Sequence, residues 1–184
     1  MTLETAFKTL NTCLLNLREE MRSLRTTIRE DKPSDSIIFE DTFGDAVDDL
    51  LGRLETGLLA AGEGQQAVAL HIDLDSARRD LAVCQDQFNQ LIYHFFDLLS
   101  YDGLAPLLRF GRQQKGEWGA WTNSIKTGLE RCQTPIYEVN QALFLCWQTV
   151  VERTGSASVS VRTTNIGQHI TLLENRVAAH EEIA

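Results

Sequence analysis

His94, Asp97 and Tyr101 stand at i, i+3 and i+7. On a helix that spacing sets an imidazole, a carboxylate and a phenol along one face. Such a set can move a proton, with the aspartate orienting the histidine and the tyrosine donating. No nucleophile or oxyanion donor accompanies them, so interhelical hydrogen bonding and contact with a ligand or partner stand beside catalysis as readings. Eight of the fourteen aromatic residues fall between Phe88 and Trp121, and Arg109, Arg112 and Lys115 lie in the same stretch of an acidic chain. Aromatic and arginine side chains together are the usual composition of interface hot spots. Tyr101, Arg109, Phe110, Arg112, Lys115 and Trp118 are therefore the candidate partner-contact residues, and His94, Asp97, Tyr101 and Trp118 the candidate ligand-binding set. Several of these aromatics also fall on an apolar helical seam, where core packing is the plainer role.

Other chemistry is scarce. No glutamate is followed by a histidine three residues later, as a di-iron carboxylate bundle requires. The chain has no HExxH, no calcium loop and no Walker A sequence. The run from Gly62 to Ala67 fits GxGxxG/A, but it follows a helical pattern where a dinucleotide site needs a strand. It reads as the stop of one helix and the start of the next. Of His71, Asp73 and Asp75, only His71 and Asp75 share a helix face, and a solvent-facing pair is the simple account. Cysteines at 13, 84, 132 and 146 never form CxxC, and each lies on an apolar helical face. They read as small core residues of a protein in a reducing compartment. No metal and no cofactor is expected.

The elements that would position the His94–Trp118 region are helices. Leu3, Phe7, Leu10, Leu14, Leu17, Met21, Leu24 and Ile28 alternate in steps of four and three, which predicts a helix from Thr2 to Arg29, about 40 Å long. Pro33 ends that segment. A second helix is expected from near Thr42, capped by Asp41 or Thr42, to Ala61, with Gly62 and Gly64 as its stop. A third seam runs from Ala67 through Leu70, Leu74, Ala77, Leu81, Cys84, Phe88, Leu91 and Phe95 to Leu98. Leu104–Phe110 is expected to add a short helix. The rhythm resumes from Trp118 to Val150 and keeps its phase across Pro135, so a kinked helix is preferred to a fresh one capped by Thr134. Past Thr154 the pattern alternates with a period of two, and a small β-hairpin or irregular tail is expected there.

Four amphipathic helices bury their stripes together, so the expected fold is all-α: an antiparallel bundle of about four long helices with coiled-coil-like packing over residues 1–153, plus a tail over 154–184. Arg18, Arg22, Arg25 and Arg29 flank the first seam, and Asp45, Asp48, Asp49 and Glu55 flank the second. Their intramolecular pairing is expected, with docking of an acidic partner as the alternative. A formal net charge of −9 argues against nucleic-acid binding as the main activity. Glu4 stands where a signal peptide would be positive, and no apolar run reaches the roughly 18 residues of a membrane helix, so a cytoplasmic location is expected.

A resemblance adds to this reading. Glu117-Trp118-Gly119-Ala120-Trp121, Gly128 to Cys132, Val139 to Leu143, Cys146-Trp147 and Ser158 to Val161 look like small helical proteins of bacterial conflict systems. Those accessory proteins accompany caspase-like proteases or signalling NTPases. The resemblance spans about the last third of the chain and implies a bacterial regulatory partner protein, with no catalytic residues carried across. The function expected is thus a non-enzymatic interaction module, an adaptor or regulatory subunit. Its partner would be another protein presenting a helical or acidic surface, or a second copy of the chain. A small-molecule or metal sensor built on the aromatic junction is the alternative.

Overall fold

The computed structural model describes residues 2–31, 37–70, 74–98 and 116–154, with the side chains of residues 37–43, 117, 118, 153 and 154 outside that description. Four helices make up the described chain: α1 (Leu3–Arg29), α2 (Ile37–Ala69), α3 (Leu74–Leu98) and α4 (Glu117–Thr154). The chain is all-α among the described residues. Contacts at known positions fix the helix directions. Asn11 meets Gln65 and Arg29 meets Asp45, so α1 and α2 are antiparallel. Arg53 bonds Gln90 across α2 and α3, and the Trp121 indole donates to the Thr27 carbonyl across α4 and α1. The bundle therefore runs up, down, up, down, with α1 packed between α2 and α4 and with α3 against α2.

The first helix begins as the spacing predicts. Thr2 is its N-cap, its hydroxyl accepting from the Thr5 N–H at 3.2 Å. The whole seam of α1, together with Ala6, is at most 1% exposed. That enclosure buries the α1 seam within the chain itself.

The second helix departs from expectation at both ends. It starts at Ile37 rather than near Thr42, because no proline or glycine between Ile37 and Thr42 interrupts a helix. It also runs straight through Gly62 and Gly64 to Ala69. A glycine inside a helix costs about 1 kcal/mol against alanine, too little to stop a helix whose face is being buried. Gly64 is a packing notch. A Cβ placed there would lie 2.6 Å from a ring carbon of Phe7 and 3.3 Å from the Asp80 Cβ, so α1, α2 and α3 meet at this point. Ala67 is buried in the last turns of α2, and Leu70 follows as a turn residue 60% exposed, so neither begins the third helix as expected. That helix begins at Leu74. His71 and Asp73 lie outside the described residues, while Asp75 opens α3 and pairs with Arg78 at 3.7 Å.

Helix α4 is one element of 38 residues with Pro135 inside it, so Thr134 does not cap a new helix. The proline leaves the Arg131 carbonyl without its intrahelical donor. Gly128 forms a second notch, where a Cβ would lie 2.9 Å from the Leu24 Cδ1. The short helix expected over Leu104–Phe110 and the hairpin or tail over 154–184 fall outside the described residues, apart from Thr154 itself.

The glycines sort into two kinds, and substitution should separate them. Gly52 and Gly62 face open space, so Gly52→Ala or Gly62→Ala should stabilise the fold by about 0.5–1 kcal/mol. Gly64→Ala drives a methyl into an enclosed, stiff ring; an overpacking cost of about 1–3 kcal/mol exceeds the propensity gain, and a net loss is expected. Urea unfolding at unchanged slope is the measurement.

Candidate interaction surface

Polar groups inside the bundle are used for register. Asn11 Nδ2 reaches the Phe7 carbonyl at 3.1 Å, the Ala61 carbonyl at 3.4 Å and Gln65 Oε1 at 2.6 Å, tying α1 to α2 at one height. Gln85 is 1% exposed; its Oε1 accepts from the Trp147 indole at 3.2 Å and its Nε2 donates to Asn89 at 3.0 Å. This bridges α3 and α4, which among the described residues meet over a shorter stretch than the other neighbouring pairs.

The arginine stripe of α1 pairs as expected with α2. Arg18 and Arg22 share Glu55 at 3.4 and 3.2 Å, Arg25 meets Asp48 at 2.6 Å, and Arg29 spans Asp48 at 2.7 Å and Asp45 at 3.2 Å. Asp49 is the exception: it binds Arg53 of its own helix at 3.0 Å. Side chains this exposed gain little net stability from pairing, so the ladder orients α1 on α2. Its guanidinium groups are already engaged, which weighs against the stripe as a dock for an acidic partner.

Cys84, Cys132 and Cys146 are core residues, and Cys13 packs half-buried against the core. Burial pushes the Cys84, Cys132 and Cys146 thiols up to about 12, and the half-buried Cys13 is raised by burial and then by Glu138. Among the described residues no group of three His, Cys, Asp or Glu is placed to hold a metal ion.

The sequence-derived site residues divide. Tyr101, Arg109, Phe110, Arg112 and Lys115 lie outside the described residues, and Trp118 is placed only by its backbone in the first turn of α4. His94 and Asp97 are described: both are exposed on the outer face of α3's last two turns. Among the described residues neither makes a hydrogen bond or ion pair. Phe88, Phe95 and Trp121 are core, at most 3% exposed. The residue that the sequence reading passed over is Tyr93, 75% exposed between the buried seam positions Leu91 and Phe95. Its signal was available: an aromatic set at a polar position of the heptad. Together Tyr93, His94 and Asp97 form an outward patch where α3 leads into the aromatic and basic stretch.

Two tests follow from the buried groups. In the folded protein a thiol reagent at about pH 8 should modify Cys13 slowly and the other three cysteines only on unfolding. Because the folded thiols ionise near 12 and unfolded ones near 8.5–9, stability from their burial is complete below about pH 9 and is lost as pH rises toward 12. Gln85→Leu strands the buried Trp147 N–H and should cost about 1–3 kcal/mol, which Gln85→Leu/Trp147→Phe should largely recover.

No protein-family model, no curated protein and no solved structure matches this chain.

Proposed function

We propose that the protein is a non-enzymatic helical interaction module, an adaptor or regulatory subunit that binds another protein. Its contact surface would run from the outer face of the last turns of α3 into the stretch bearing Tyr101, Arg109, Phe110, Arg112, Lys115 and Trp118. The observation that carries this reading is Tyr93. The described bundle encloses its heptad seams, yet leaves this aromatic side chain 75% in water beside His94 and Asp97. A large amphipathic ring held at a helix surface is a typical anchor for a partner.

Supporting features are the concentration of aromatic and basic residues just beyond, and the resemblance of the last third of the chain to accessory proteins of bacterial conflict systems. That resemblance favours a bacterial regulatory setting. Thiols buried in the core suit the reducing cytoplasm, where we place the protein. No helix of the described chain is long and apolar enough to cross a membrane.

Charge reversal at Arg109 and Arg112 tests the reading. The double variant Arg109→Glu/Arg112→Glu should lose capture of the native partner by tenfold or more while its thermal unfolding stays unchanged. Capture at wild-type level by a folded variant would remove that stretch from the interface.

A further inference from the structure

Along α3, Asp86, Tyr93 and Asp97 are spaced by seven and four residues, which puts all three on one exposed stripe of the helix. The two carboxylates stand about 10 Å and about 6 Å along the axis from the tyrosine, on either side of it. Each of the three is exposed, and among the described residues none makes a hydrogen bond or ion pair. By contrast, the carboxylates facing α1 from α2 are consumed by the arginine ladder. Two unengaged negative charges thus flank an unengaged aromatic face, on a chain of net charge −9.

We propose that this stripe docks an arginine-bearing basic segment of a partner protein. A guanidinium group stacked on the Tyr93 ring gains from the ring quadrupole, and neighbouring cations of the same segment reach Asp86 and Asp97. Arginine suits the site better than lysine because its planar head stacks and its fork matches a carboxylate. The protein's overall negative field steers such a segment toward the surface. The inference rests on the interaction-module reading and names the chemistry of the partner at its described part. A partner of this kind presents basic residues to α3 and is free to present acidic ones to Arg109 and Arg112.

The test uses the full chain and a fluorescein-labelled nonapeptide of alternating arginine and glycine, followed by anisotropy at about 50 mM salt. Binding is expected to weaken about three- to fivefold in Tyr93→Ala and about tenfold in Asp86→Asn/Asp97→Asn. A control variant, Glu19→Gln/Glu152→Gln, removes the same charge from exposed positions on α1 and α4 and should change binding less than twofold. Equal weakening by the control, no effect of Tyr93→Ala, or no binding of the peptide would each overturn the proposal. All of the substitutions are on the surface, and an unchanged circular dichroism melt shows that each variant is folded. The readout is independent of native-partner capture. A peptide that fails to bind while the partner is still captured faults this inference alone, and loss of capture in the Arg109/Arg112 variant leaves the peptide result standing.

Discussion

Everything in this bundle depends on the enclosure of α1. Its apolar seam is shut away from water by α2 on one flank and α4 on the other, and that close approach requires the neighbours to present almost no side chain at the points of contact. Gly64 receives the ring of Phe7, and Gly128 receives Leu24. Larger residues there would press against the Phe7 ring and the Leu24 side chain and disturb the packing of the seam, at an overpacking cost of about 1–3 kcal/mol at each notch. Gly64, which reads as a helix stop in the sequence, is therefore what allows α1, α2 and α3 to converge.

Once the core is closed, its polar members have little freedom to do chemistry. Asn11 fixes the height of α1 on α2, Gln85 holds Trp147 across α3 and α4, and the arginine ladder orients the first two helices. Buried thiols held far above their ordinary ionisation range are poor nucleophiles. Among the described residues, α3 displays Tyr93, His94 and Asp97 on its exposed face.

Much of the fold was legible because a heptad is a direct statement about burial: the seam of α1, its extent to Arg29, and the core positions of α3 and α4 follow from spacing alone. The boundaries of α2 were not, for a stated reason. A glycine's local preference is worth about 1 kcal/mol, and only the tertiary neighbour reveals whether it marks an end or a notch. The end of α2 at Ala69 was hidden in the same way, since Ala67 and Leu70 keep the phase of the following helix although Ala67 belongs to α2 and Leu70 is a turn residue. For the surface, the sequence counted Tyr93 among the aromatics between Phe88 and Trp121 but did not single it out, because composition alone does not separate an aromatic packed on the seam from one standing in water. What an exposed patch binds is not written in helical periodicity at all.

The central claim is that the outer face of α3 contacts a protein partner in the cell. It is tested most directly by replacing Tyr93 with a photo-crosslinking amino acid in the native host and illuminating the culture, with Leu59, 66% exposed on α2, as the comparison position. The account predicts a covalent adduct of defined mass from position 93 and none from position 59. No adduct from position 93, or equal labelling at both positions, would contradict it.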